Sequence, residues 1–595
     1  MGRVPKGILE EALAHHRAGR WDQAEAGYRR LLRLEPHNGD ARHLLGVLAF
    51  QRGDGRRALE LIDSAIQRQP SPLFYQTRGS VLQALGRLQE ALRAFERSLE
   101  LHPANAQAWV YAGNIHVKEG RWESALACFE RAVALAPDWA EAHNNLGLAH
   151  SRLGHGEAAQ QALERAVALR PDLVEAWANL GNLLRQRGSP LQAVACLERA
   201  VALNPASTVA QVNLGAALEA LGRFERAEAC YRQALRLDPD CPEAWNNLGG
   251  ILRLRGDFGA ALSCFDRAAA ARPAVAEVHN NRGAALEKLG RYEEALAAYN
   301  DALRLNPQFV EAHRNRALLL LLRGEWEQGW QEYEWRWKAS DVRIPDIPAP
   351  RWEGEPLQGK RILLWAEQGL GDTIQFIRYA RLVKALGAHV VVACPPRLVE
   401  LVKTAPGVDA VLPDCHSLPA CDVQAPLMSL PRILRTLPAE VPYLRVEPRR
   451  PTCAEIRSIG VVWSGNPENP NNLCRSLPVE SVLDLVRRHK QFRWYSLQPG
   501  FSTHELPSLE PPGCRLEETA ALVAGLDLVI TVDTMMAHLA GALGRPVWVL
   551  LPFSPDFRWL LRRTDSPWYP TARLFRQPAP GAWAPVMAAV QEALQ

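Results

Sequence analysis

The chain has 595 residues, too many for one hydrophobic core, so at least two domains are expected. Hydrophobic residues make up 47% and charged residues 23%, the balance of an ordinary globular protein. With 69 basic and 65 acidic residues the formal net charge is only +4, which gives neither nucleic acid nor a membrane surface a field to bind. No apolar run approaches the roughly 20 residues of a membrane span. The opening MGRVPKGILEEALAHHRAGRW has no apolar core of the signal-peptide kind. A cytoplasmic protein is expected.

The first 340 residues are periodic. Proline recurs at 103, 137, 171, 205, 239, 273 and 307, each 34 residues from the last. Glycine does so at 120, 154, 188, 222, 256, 290 and 324, preceded by Gly19, Gly53 and Gly86. Ten such glycines imply about ten repeats across 1–340. In the clearest unit, Ala244–Pro273, Trp245, Leu248 and Gly249 fall on a first helix and Gly256 in the turn. Ala261, Phe265 and Ala268 fall on a second helix, which Pro273 closes. Small residues let the helices approach, and an aromatic fills the gap between hairpins. One hairpin cannot bury its apolar face alone, so the units must stack. The pattern resembles the tetratricopeptide repeat, which implies an α-solenoid that binds a polypeptide. Cys128, Cys196, Cys230 and Cys264 share one repeat position and read as small buried apolar side chains, with no metal site expected.

A second series lies on the first helices. Asn145, Asn179, Asn213, Asn247, Asn281 and Asn315 are each 34 residues apart. In tetratricopeptide proteins this helix lines the inner groove. An amide carries one acceptor and two donors, so a column of amides can bond the backbone of an extended polypeptide without reading its side chains. The series resembles the asparagine ladder of eukaryotic protein O-GlcNAc transferases. The alternative is that the amides bond helix to helix or face water. Further on, Trp326, Trp330, Trp335 and Trp337 suggest one broad aromatic helical face that docks the array onto the next domain.

Residues 341–358, with prolines at 345, 348, 350 and 356, read as a linker. Beyond it, strands alternate with helices. Strands are expected at Arg361–Trp365, Val390–Ala393, Val408–Leu412, Ile459–Trp463, Phe492–Leu497, Leu528–Val532 and Val547–Leu551. Helices are expected at Thr373–Leu386, Val479–His489 and Thr534–Leu543. Such alternation means parallel sheets, here two doubly wound halves, 359–450 and 451–595, facing across a cleft.

Three segments at strand ends could carry chemistry. Gly369 and Gly371, in the loop EQGLGD, let backbone amides approach a ligand, and Asp372 stands at the following helix start. Asp533, Thr534 and His538 follow the strand LVITV, the last two one helical turn apart. Ser464 and Asn466, with Arg475 and Ser476, add polar groups and a cation.

Residues from about 352 to 592 resemble glycosyltransferase family 9, the heptosyltransferase-like group, and in particular its bacterial variant fused behind tetratricopeptide repeats. The resemblance rests on WEGEPLQGKRILLWAEQGLGDTIQFIRYARL, on VVWSGNP with RSLP, and on TAALVAGLDLVITVDTMMAHLAGALGRPVWVLLP followed by RWLLRRTDSPWYPTARLFRQ. It implies a GT-B fold of two Rossmann-like halves, acceptor side first and donor side second. It also implies metal-independent transfer from a nucleotide-sugar, CMP- or NDP-linked, with no resident cofactor. Asp372 then corresponds to the catalytic aspartate, and Asp533, Thr534 and His538 to a D-T-x-x-x-H donor motif. Arg475 corresponds to a basic residue facing the donor phosphates. Relatives carry a more charged segment where this chain has PENPNNLC, and an aspartate within what is RLEE here. The domain pairing resembles bacterial flagellin glycosyltransferases, which implies transfer to Ser or Thr of a polypeptide held by the repeats, with flagellin as client. Two other readings stand beside it: a transferase using a lipid-linked or polysaccharide acceptor, and a scaffold with a decayed transferase domain.

Overall fold

The computed structural model describes residues 4–339, 342, 344–413, 420–450, 456–467, 472–509 and 515–595. It divides into two compact units, residues 1–248 and 249–595. Half of the PENPNNLC segment (468–471) lies outside the described residues.

Helices alternate with short turns from Val4–Arg17 to Trp326–Tyr333, twenty in all, which makes ten hairpins among the described residues. The periodic residues explain the geometry. Every inter-helix glycine has positive φ, from Gly19 at 71° to Gly324 at 82°, the left-handed cap that glycine adopts without a Cβ penalty. The helix-crossing glycines act differently. A Cβ at Gly249 would lie 2.7 Å from Cε1 of Phe265, and one at Gly215 would lie 2.4 Å from Cε1 of Tyr231. The aromatic of the second helix therefore rests directly on first-helix backbone. Phe265 and Tyr231 are fully buried, each contributing on the order of 1.5–3 kcal/mol.

The repeat prolines also leave carbonyls to satisfy. Trp109, Trp177 and Trp245 donate their indole N–H to the carbonyls of Pro103, Pro171 and Pro239 at 2.9, 3.0 and 2.8 Å. His143, His279 and His313 place Nε2 on Pro137, Pro273 and Pro307 in the same way. One position thus ties six of the first helices to the turn before them.

The tryptophan cluster departs from the expected single face. The helix ends at Tyr333, and Glu334–Lys338 winds as a tighter 3₁₀ turn. Trp335 therefore stacks on His313 at 3.6 Å, while Trp337 leans on Trp365 at 5.4 Å. Docking itself is observed. Trp330 is buried and meets Phe376 and Phe557 edge-on at 5.7 and 5.6 Å, and Trp326 meets Trp568 at 5.8 Å.

The proline-bearing stretch ends against a sheet. Trp352 is 1% exposed, and Pro350 and Trp352 exchange backbone hydrogen bonds with Gln424. The first sheet holds β1 (Arg361–Trp365), β2 (His389–Ala393), β3 (Ala410–Leu412) and β4 (Val423–Pro426), all parallel in the order 3-2-1-4. The second holds β5 (Ser458–Val462), β6 (Arg493–Ser496), β7 (Leu528–Val532), β8 (Val547–Leu551) and β9 (Ala572–Arg576), parallel in the order 6-5-7-8-9. β4 and β9 escaped the sequence reading because VQAP and ARLFR are too short or too charged to read as apolar runs. Both orders reverse direction once, beside β1 and beside β5, and at such switch points doubly wound sheets bind ligands.

Adjacent glycines give a test. Gly249→Ala drives a methyl into Phe265 and should cost about 1–3 kcal/mol. At Gly250 nothing lies within 4 Å of a new Cβ, so Gly250→Ala should stabilise the helix by about 0.5–1 kcal/mol. Thermal unfolding of the two variants should show melting shifts of opposite sign.

Candidate functional site

A cleft of about 710 Å³ opens at the carboxyl ends of the two sheets. That volume suits a small-molecule ligand. Gly371 and Asp372 line it from the first sheet, and Ser464, Asn466, Arg475, Asp533, Thr534 and His538 line it from the second. Gly369 and Ser476 are chain neighbours of the lining residues Gln368 and Arg475 and do not line the cleft themselves.

Asp372 sits in the first turn of the helix Leu370–Phe376, directly after β1. One carboxylate oxygen accepts the Gly369 N–H at 3.0 Å, which caps the helix. The other pairs with the Arg558 guanidinium. Burial raises the Asp372 carboxyl above the usual carboxylate range, with Arg558 pulling it down and Asp556 pushing it up. Capping and proton acceptance are compatible, since they use different lone pairs.

Gly371 has a packing role. A Cβ there would lie 3.1 Å from His538 Cδ2 and 3.5 Å from the Met535 Cα. The helix after β1 thus meets the helix Met535–Ala542 after β7 at van der Waals distance, and both helix starts face the cleft. Thr534 caps the second helix, accepting the Met536 N–H at 3.3 Å, and its hydroxyl lies 3.0 Å from that of Thr531. His538 is buried, stacks on Trp559 at 5.5 Å and places Nδ1 3.0 Å from the Tyr569 hydroxyl. Burial, with Arg558 and Arg378 nearby, holds its imidazole well below the usual pKa, so it is neutral. It is a hydrogen-bonding group and not a counter-cation.

Arg475 lies flat over Gly465, where a Cβ would come within 2.5 Å of Nη2. It donates to the Asp533 carbonyl at 3.1 Å. Ser464 and Ser476 share a hydroxyl contact of 3.2 Å, and Ser464 N–H donates to Gln498 at 3.0 Å. Asn472 binds both the Gly465 N–H (3.0 Å) and the Ser476 hydroxyl (2.9 Å), so it organises this wall.

Sequence reasoning missed Arg558 and Asp556. Arg558 is 8% exposed and donates to Gln375 and Asp556 at 2.7 Å each, as well as to Asp372. The only trace in the sequence was a basic run, RWLLRR, after the last apolar strand.

The asparagine series, remote from this cleft in sequence, is half-buried, and several of its members bond asparagines on the preceding hairpin. Asn145 donates to Asn114 at 3.2 Å, Asn179 to Asn144 at 2.9 Å, and Asn315 to Asn280 at 2.9 Å. Pairing across 35 residues needs an amide on the preceding hairpin. Positions 178 and 212, which stand 35 before Asn213 and Asn247, are Ala and Val.

Tetratricopeptide repeat models match residues 9–71, 72–105, 113–154, 140–173, 172–240, 212–276 and 276–309. Glycosyltransferase family 9 (heptosyltransferase) matches residues 507–556, which hold β7 and the Asp533–His538 corner. The chain thus carries tetratricopeptide repeats and, further on, a segment that matches glycosyltransferase family 9. Protein FlbA of Caulobacter vibrioides is 29% identical over 313 residues, 45% of this chain and 52% of FlbA. The chain therefore spans about half the length of the curated relative it matches. Among solved structures, it is similar to the APC/C hetero-tetramer Cut9–Hcn1 at 17% identity, covering 57% of this chain and 74% of that one, with a TM-score of 0.39. It is also similar to YrrB, described as a TPR protein with an unusual peptide-binding site, at 24% identity, covering 31% and 96%, with a TM-score of 0.28.

The buried charges predict opposite pH effects. Burial first, then Asp556, raises the Asp533 carboxyl above its usual 3.8. The folded state therefore holds that proton more tightly than the unfolded one, and stability falls as pH rises above 3.8. Asp533→Asn should raise the melting temperature at pH 8 and leave it unchanged at pH 3.5. Arg558→Met strands buried carboxylates and should cost about 3–5 kcal/mol at pH 8. That loss should shrink toward pH 4 as the carboxyls take up protons.

Proposed function

We propose that the protein is a glycosyltransferase of GT-B type that moves a sugar from a nucleotide-sugar to Ser or Thr hydroxyls of a polypeptide held by its repeats. The supporting observation is the facing of Asp372, on one sheet's switch point, against Arg475 and the Thr534 helix start on the other's, across one cleft. The family 9 match falls on the second of these walls.

In this reading the acceptor hydroxyl approaches Asp372. Its carboxylate, raised in basicity by burial, takes the proton as the oxygen attacks the anomeric carbon. The bond to the departing nucleotide breaks, and its phosphate charge is met by the Arg475 guanidinium and by the backbone N–H groups at the start of Met535–Ala542. Neutral His538 offers a hydrogen bond without competing for the Asp372 proton. The side chains invoked here need no metal ion.

The repeats supply the polypeptide site. The amide contacts use part of each side chain's capacity of two donors and one acceptor; at Asn213 and Asn247 the position 35 residues earlier is Ala or Val, and Asn247 instead accepts from Asn246 at 3.4 Å. Flagellin is the client we propose, on the resemblance of the domain pairing to bacterial flagellin glycosyltransferases.

With purified enzyme, client and a panel of CMP- and NDP-sugars, Asp372→Asn should lower transfer by at least ~100-fold. Arg475→Ala should weaken donor binding by roughly 10- to 100-fold. Transfer undiminished by Asp372→Asn would sink the mechanism. Alanine at Asn213 and Asn247 should reduce transfer to the polypeptide; transfer to a lipid-linked or polysaccharide acceptor that survives this change would favour a glycan substrate.

A further inference from the structure

The last hairpin touches the loop that carries Asp372. Arg336, on the 3₁₀ turn Glu334–Lys338, is 2% exposed and makes five hydrogen bonds. Nε and Nη2 donate to the two oxygens of Glu367 at 2.7 and 3.0 Å, the fork geometry that a lysine cannot reproduce. Nη2 also donates to the Ser429 hydroxyl at 2.9 Å, and Nη1 to the Tyr333 carbonyl and Glu334 at 3.1 and 3.0 Å. The rings of Tyr333 and Trp337 lie 4.5 and 4.3 Å from the guanidinium carbon.

Glu367 opens the loop EQGLGD. Its Oε1 also accepts the Met428 N–H at 3.0 Å, so the loop is pinned to the segment after β4 as well. The next residue, Gln368, lines the cleft and donates to the Tyr333 hydroxyl at 2.8 Å. The residue after that, Gly369, gives Asp372 its capping N–H. Two consecutive loop residues, five and four positions before Asp372, are therefore held by one hairpin.

Adhesion does not require this arrangement. Trp330, packed on Phe376 and Phe557, already glues the hairpin down. A buried ion pair adds little stability over apolar packing of the same volume, whereas its directional bonds fix geometry. We propose that Tyr333 and Arg336 are positioning residues of the transfer reaction, so that the last repeat hairpin sets the placement of Asp372. This rests on the glycosyltransferase reading above. The repeat array is then part of the catalytic apparatus and not a detachable tether.

The test uses the full chain with Tyr333→Phe, which keeps the ring and removes only the hydroxyl, and with Arg336→Lys, which keeps the charge and loses the fork. Hydrogen exchange needs no turnover. Amides 367–372 should exchange about tenfold faster in each variant, while hairpins in 1–248 exchange as before. In transfer assays kcat should fall roughly 10- to 100-fold with KM for the nucleotide-sugar unchanged. Unchanged exchange at 367–372 overturns the proposal, as does faster exchange with unchanged kcat. Exchange that rises evenly along the whole of 249–595 also overturns it, because the residues would then be general fold supports. If the wild-type enzyme transfers no sugar to any acceptor, the glycosyltransferase reading fails, and exchange alone still decides whether the hairpin holds the loop.

Discussion

A buried guanidinium bridges the two sheets. Arg558, on the segment after β8, bonds Asp372 from the helix after β1, together with Gln375 and Asp556. Taking such a cation out of water is costly unless every N–H finds an acceptor. Here the acceptors come from both sheets, so the pair is satisfied only when the two halves close to one spacing. The glycine at 371 permits that spacing, because any side chain there would meet His538. One buried ionic contact and one missing Cβ thus help set the position of the carboxylate in the cleft, beside further ties such as Arg378 to the Trp568 carbonyl at 2.7 Å.

The repeats follow another constraint, close approach of helices. Gly249 under Phe265 and Gly283 under Tyr299 repeat one solution, with a small residue on the first helix and a large one on the second. The final hairpin changes its chemistry because its neighbour changes. Where an eleventh hairpin would supply a helix, Trp330 meets Phe376 and Phe557. Arg336 and Tyr333 replace generic packing with directional bonds to the loop before Asp372.

Periodicity made the repeats legible, because proline and glycine act locally and recur. The two sheets were legible where strands are continuous apolar runs, as in β1, β7 and β8. β4 and β9 were not, since VQAP and ARLFR become strands only through their neighbours. In the cleft, Asp372, Arg475, Asp533, Thr534 and His538 could be named from strand ends and motifs. Arg558 and Arg336 could not, because their partners lie far away in sequence: 186 residues divide Arg558 from Asp372, and 31 divide Arg336 from Glu367. Asp556 and Asn472 bond close neighbours, but a lone loop carboxylate or amide carries no motif. The tryptophan run misled for a local reason, the switch to a 3₁₀ turn at Glu334. The asparagine column lies on first helices as expected, yet its members bond amides outside the column, at 114, 144 and 280, which the 34-residue period does not reveal.

The central claim is that a protein held by the repeats receives the sugar. Its most direct test is intact-mass analysis of flagellin, and of the wider proteome, from cells with the wild-type gene, without it, and with Asp372→Asn. The account predicts one or a few proteins, flagellin among them, whose mass drops by whole sugar units in both altered strains. Unchanged protein masses alongside an altered lipid-linked or polysaccharide fraction would contradict it.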